Sequence, residues 1–330
     1  MGSVAAAGAV LAVADPAAAE GTAEEAELTV TEQGTPPLAA AAVGLVYKHA
    51  TGKAGGVWNS MVSVADDGGP VTAVAEGVDT TVEAYSVNKI AVAVAVLDKV
   101  DRGIITLGQR LEVTSAIVIR GGDGIFSLDG AYPSSVTLGH ALAALLTVSD
   151  DTAVRLCGLV CPALELNQIL VAKGFPRTQV VPVANPNRFF LGVTTPRETH
   201  DLLRKLARGE LLSASSTAFL LNVLRSPIAF TDGVRRTMSS DERARIATKA
   251  GWFEDGRNEA GLIFDEAGAP VLTYAFFAHG QAGADDFGAT HPAVQARATM
   301  GRAFVDILGR LHGASPALLR ESEYAPSNGG

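Results

Sequence analysis

The stretch from 86 to 100 restricts the fold more than any other. It reads SVNKIAVAVAVLDKV, with alanine, valine and isoleucine on nearly every side of a helix. A helix that is apolar all round is a buried helix. The rest of the chain must supply layers that cover it, and Lys89, near its start, is expected in an apolar setting.

The chain can supply those layers. It has 330 residues, 48% of them hydrophobic and 18% charged, enough for a sizeable core and too apolar for wholesale disorder. A formal net charge of −9 argues against non-specific nucleic-acid binding, which needs a basic stripe. No uninterrupted apolar run is long enough for an internal transmembrane helix. Cys157 and Cys161 are read as small buried side chains rather than a disulfide. The histidines are scattered without zinc-ligand spacing, and no metal or organic cofactor is implied.

Residues 1–37 differ from the rest. An Ala/Val run over 4–14 and the small-residue Ala17-Ala18-Ala19 look like the latter part of an export signal, yet no Lys or Arg precedes Lys48. One expectation is a truncated signal, and with it a secreted, periplasmic or cell-envelope protein. The other is a disordered Ala-rich tail, which leaves a cytoplasmic protein open. Residues 20–37 read as an acidic linker, 38–321 as the folded domain and 322–330 as a tail.

Within the domain the patterns predict a helix at 38–49 and a hairpin of strands at 57–65 and 71–75, joined by Asp66-Asp67-Gly68-Gly69-Pro70. After the buried helix, further helices are expected at 138–147, 152–160, 164–173, 196–208 and 213–224. The helix at 196 opens with a cap residue before an N1 proline, in Thr194-Thr195-Pro196. Strands are expected at 246–250, 259–264 and 271–278, and a closing helix at 292–311. This order predicts an α+β fold: one antiparallel sheet flanked by the terminal helices, plus an all-helical subdomain.

Three fragments carry chemistry. Ser86-Val87-Asn88-Lys89 places a hydroxyl and an amine one turn apart on one helix face. A serine needs a base within hydrogen-bond reach, and a desolvated lysine can be neutral enough to serve. Alone the signal is weak, because a chain this long holds about one Ser-x-x-Lys by chance. Ser149-Asp150-Asp151 lies between two helical patterns. A hydroxyl there could relay a proton to a leaving group, and the same residues also resemble a helix N-cap. Lys249-Ala250-Gly251 lies on a predicted strand, where the lysine brings charge and the glycine lets a substrate approach the backbone. The same tripeptide recurs at Lys53-Ala54-Gly55, so only its place in the order has meaning.

Taken in order, the three fragments resemble those of class A serine β-lactamases and their penicillin-recognising relatives, over roughly residues 57–311. The segments TVSDDTA at 147–153, LLRKLARGELL at 202–212 and RNEA at 257–260 resemble that family too. The resemblance implies Ser86 as nucleophile, Lys89 as base, and Ser149 and Lys249 as the proton shuttle. Asp151, Ala250, Gly251 and Arg257 stand at substrate-binding positions.

The pattern also departs from the family. Asp151 replaces an asparagine, which removes a donor and adds a charge beside Lys89. Ala250 replaces a hydroxyl residue that would bind the substrate's carboxylate, and Arg257 is expected to retain part of that recognition. The stretch 180–193 contains no Asp or Glu where the family's Ω loop holds its deacylation base. Glu165 lies too early and is expected to be a solvated helix residue.

The expectation is a serine hydrolase acting on an amide, lactam or ester carbonyl of a small molecule, acylated at Ser86. Within it a divergent β-lactamase, a D,D-peptidase-like enzyme and a biosynthetic hydrolase all remain open. The competing expectation is a non-catalytic or sensor-type binding protein on the same scaffold. A Ser-His-Asp hydrolase lacks its Gly-x-Ser-x-Gly elbow here, and no Gly-x-Gly-x-x-Gly follows a strand.

Overall fold

The structure, a computed structural model, describes residues 34–128 and 130–311; the export-signal and tail readings fall outside them. Helix α1 (Pro36–Ala54) leads into a hairpin of β1 (Val57–Val64) and β2 (Val71–Glu76). A short β3 (Val82–Glu83) and a 3-10 turn (Tyr85–Asn88) run into α2 (Lys89–Asp101). Strands β4 (Arg110–Val113) and β5 (Ser134–Thr137) pair as a separate ribbon. Three helices follow, α3 (Leu138–Thr147), α4 (Asp151–Val160) and α5 (Ala163–Ala172). A second hairpin, β6 (Gln179–Pro182) and β7 (Phe189–Thr194), is joined by β3. Helices α6 (Pro196–Ala207), α7 (Ala214–Leu224) and α8 (Ser240–Ala244) precede β8 (Ile246–Phe253), β9 (Gly256–Phe264) and β10 (Pro270–His279), and α9 (Pro292–Leu311) closes the described chain.

The main sheet has five antiparallel strands in the order β2-β1-β10-β9-β8. The early hairpin and the three late strands meet because β1 pairs along its whole length with β10, from Val57 opposite His279 to Val64 opposite Leu272. The expected α+β architecture is therefore present. One face of the sheet is covered by α1 and α9. Tyr47 of α1 stacks on Phe276 of β10 at 6.1 Å and meets Trp58 of β1 edge-on, and Met300, Phe304 and Leu308 of α9 join the same core. Gly44 lets α1 come close, since a Cβ there would stand 2.8 Å from the Ala73 carbonyl.

The other face meets the helical layer built around α2. Every residue of α2 from Lys89 to Leu97 is buried. Each of its large apolar side chains contributes about 1.5–3 kcal/mol by burial, with Leu142, Leu156, Leu166 and Leu220 packed in the same core. The sequence pattern places the helix start at Ser86; the structure begins the α-helix at Lys89, with a tighter 3-10 turn before it. That turn is where the first functional fragment sits. Cys157 and Cys161 are both free and buried, and burial pushes the Cys161 thiol up to about 12.

Candidate active site

The Ser86 turn is held from three sides. Asn258 of β9 donates from Nδ2 to the Glu83 carbonyl at 2.9 Å, and Ala84 N–H donates to the Gly192 carbonyl at 2.9 Å. Asn88, inside the turn, donates from Nδ2 to the carbonyls of Leu191 (2.7 Å) and Val193 (3.0 Å) on β7. On the opposite side β8 passes so closely that a Cβ on Gly251 would lie 2.7 Å from Ser86 N and 2.8 Å from Val87 N. Tyr85, just before Ser86, has a φ of 49°, a region that bulky residues avoid and that functional turns tolerate when their surroundings over-determine it.

Ser149 joins this turn through an unusual backbone. Its φ is 57°, which swings it out of the α4 capping position. Asp150 takes that position instead, accepting from Ala153 N–H at 2.9 Å. The N-cap reading of the fragment thus belongs to Asp150, and the Ser149 hydroxyl is left for other work. Lys89 Nζ donates to Ser149 Oγ at 3.0 Å and also to the Ser149 carbonyl. Lys249 Nζ, arriving from β8, donates to the same Oγ at 3.0 Å and to the Ala250 carbonyl at 2.6 Å. All three sequence fragments meet at one hydroxyl.

The electrostatics of this centre are set by burial. Lys89 is fully buried, and desolvation lowers its pKa while the Asp151 carboxylate, 2.9 Å away, works in the opposite direction. Lys249 is buried as well. Desolvation, and after it the Lys89 charge, holds it well below the usual lysine range. Two ammonium groups sharing one oxygen repel each other, so the pair favours carrying fewer than two charges.

Asp123 is a residue the fragments do not announce. Its N–H donates to Asp151 Oδ2 at 3.1 Å, and Asp151 N–H returns a bond to the Asp123 carbonyl at 3.0 Å. Asp150 Oδ2 accepts from Ile125 and Phe126 N–H and folds the same loop over the site. Burial and the Asp151 charge raise the Asp123 pKa, against the pull of Lys89 and Lys249. The one sequence signal is its glycine-rich setting, Gly121-Gly122-Asp123-Gly124, which marks a tight loop without saying where it folds.

The profile of the β-lactamase enzyme family matches residues 42–308. The chain belongs to the β-lactamase enzyme family. No curated protein matches it. Among solved structures, a β-lactamase from Sphaerobacter thermophilus superposes with a TM-score of 0.68 at 20% identity, covering 82% of this chain and 97% of that one. One from Chitinophaga pinensis gives 0.68 at 18% identity, covering 81% and 99%. PBP-A, as a point mutant in an acyl-enzyme complex with penicillin G, gives 0.63 at 20% identity, covering 80% and 96%. At these identities the likeness is one of fold.

Set within the β-lactamase family, seven of the eight residues singled out from sequence come together: Ser86, Lys89, Ser149, Asp151, Lys249, Ala250 and Gly251. Arg257 is the correction. All five of its N–H donors are spent on backbone carbonyls, those of Glu254, Gly256, Ala284 and Asp286, and its guanidinium lies over the Phe287 ring at 4.5 Å. It pins the loop after β10 and has no donor left for a substrate carboxylate. Glu165 is also more engaged than its helix pattern suggested. It pairs with the buried Lys99 at 2.6 Å rather than pointing to water alone. The stretch 180–193 folds as the β6–β7 hairpin and brings no carboxylate to Lys89.

Proposed function

We propose that this β-lactamase-family protein is a serine hydrolase acylated at Ser86 on attack of an amide, lactam or ester carbonyl in a small molecule. The observation that carries the reading is the Ser149 hydroxyl held by Lys89 and Lys249 at 3.0 Å each. Ser86 Oγ attacks the carbonyl carbon and passes its proton to neutral Lys89. The carbonyl oxygen becomes an oxyanion that accepts from the N–H groups of Ser86 and Trp252, the residue after Gly251 on the edge strand β8. The bond to the leaving group breaks, and Ser149 gives it a proton. Ser149 can do so because its oxygen accepts from both lysines and keeps its own hydrogen to give. The proton that Lys89 took from Ser86 then passes to Ser149 Oγ, 3.0 Å from its Nζ, while Lys249 holds that oxygen in place.

Release of the acyl group is the weaker half of this chemistry. The β6–β7 hairpin carries no base, and the carboxylates nearest Lys89 belong to Asp151, already paired with it, and Asp123. The reading is therefore of a centre better built to be acylated than to turn over fast. That PBP-A on this fold is captured with penicillin G as an acyl-enzyme supports penicillin G as the first probe. The test is acylation kinetics in Lys89→Ala: adduct formation on a folded protein should slow by about 100-fold or more. An unchanged rate removes the lysine from the mechanism.

A further inference from the structure

A cavity of 590 Å³ opens beside Asp151, between the start of α4 and the β6–β7 hairpin. It lies on the β7 side of the Ser86 turn, away from Gly251, since Leu191 lines it and its carbonyl is the one that Asn88 holds. Its size suits a small ligand group. Ile119, Val154, Val183 and Phe189 give it apolar walls.

Two arginines line the same cavity, Arg155 and Arg188. Arg155 donates to the Ile117 carbonyl at 3.1 Å and Arg188 to the Ala116 carbonyl at 3.3 Å. Neither has an ion-pair partner among the described residues. Each has donors to spare, and burial and then the Arg188 charge disfavour the cation on Arg155, with the Asp151 charge working the other way. Two like charges facing one cavity are stabilised by an anion between them. Asp151, which also lines the cavity, supplies part of that attraction to Arg155, but its carboxylate is already committed. Its Oδ1 is bound by Lys89 and its Oδ2 by the Asp123 N–H.

The rest of the site strengthens the point. Ala250 offers no hydroxyl and Arg257 no free donor, so the β8 side is poor in groups for a substrate carboxylate. The unspent cations are on the opposite side. Resting on the reading of Ser86 as nucleophile, we propose that this cavity holds the acyl half of the substrate and selects an apolar acyl chain that ends in a carboxylate, bound by Arg155 and Arg188.

The test uses two penicillins made from one nucleus, N-hexanoyl and N-adipoyl 6-aminopenicillanic acid. They have equal chain length, and only the second ends in a carboxylate. Ser86 adduct formation is followed by intact mass. The adipoyl probe should acylate the wild type about tenfold faster than the hexanoyl probe, and the ratio should fall to about one in Arg188→Gln and in Arg155→Gln. Arg188 lies in a hairpin turn, so its variant serves if loss of the Arg155 bond to Ile117 unfolds the chain. Equal rates in the wild type, or a ratio that survives both changes, overturn the proposal. If neither probe forms an adduct, the acylation reading fails for penicillins and calorimetry on the unreacted protein decides the cavity separately. Tighter adipoyl binding that is lost in Arg188→Gln upholds it, and equal binding of the two probes overturns it.

Discussion

Lys89 and Lys249 bring their Nζ atoms to one shared oxygen, Ser149 Oγ, from a buried helix and an edge strand. Neither amine is exposed. Two bases in this position cannot both hold their protons as easily as lysines in water.

The pH profile of acylation follows. Lys89 must be neutral to accept the Ser86 proton, and burial lowers its pKa. The rate should therefore rise with pH, with a midpoint below the ordinary lysine value of about 10.4. The midpoint belongs to the coupled pair. Asp151 acts the other way by stabilising the ammonium, so Asp151→Asn should move the midpoint to lower pH. A midpoint that does not move, measured by single-turnover acylation across pH, would contradict the role given to the carboxylate. The linkage has a known sign as well. Unfolding restores the higher lysine pKa, so the unfolded chain binds more protons between the two values, and these lysines make stability rise with pH across that window.

Gly251 is predicted to be intolerant of any side chain. A Cβ would meet the backbone nitrogens of Ser86 and Val87 at 2.7 and 2.8 Å, and backbone cannot swing aside as a side chain can. Gly251→Ala should push β8 away from the turn and slow acylation by about 100-fold. The protein should stay folded, since Gly251 lies on the edge strand. Circular dichroism with adduct kinetics separates the two effects.

Glu259 is a stability prediction. It is fully buried and accepts from Val234 N–H and the Thr248 hydroxyl, with Arg297 at 3.5 Å. Arg297 is buried too. Glu259→Ala would strand that guanidinium and free Thr248, the residue before Lys249. The cost should be about 3–5 kcal/mol in denaturant unfolding. A loss under about 1 kcal/mol would mean that the pair contributes little beyond its own desolvation.

How much of this was legible in the sequence depends on what each feature requires. The bounds of α3 and α9 are those their patterns predict, because their apolar periodicity is local. The five strands of the main sheet are legible for the same reason. The β6–β7 hairpin is not: 180–193 mixes Pro, Asn and exposed apolar residues with no steady alternation. β3 and β4 are too short to carry a pattern.

The site divides in the same way. Ser86, Lys89, Ser149 and Lys249 could be found because chemistry needs those types in that order. Arg257 resembles a substrate contact because its neighbours fit the family, but its donors go to carbonyls of its own turn, Glu254 and Gly256, and of the later loop, Ala284 and Asp286. Which of Ser149 and Asp150 caps α4 is decided by a φ angle, which residue type alone does not set. Asp123 and the arginine-lined cavity are assembled from separate segments by backbone bonds, so no local pattern announces them.

The most direct measurement is an intact-mass time course of the protein with penicillin G, beside Ser86→Ala. A mass gain equal to one penicillin, absent in Ser86→Ala and slow to decay, is the predicted result. A gain that persists in Ser86→Ala would place the reacting group elsewhere and contradict the assignment of Ser86.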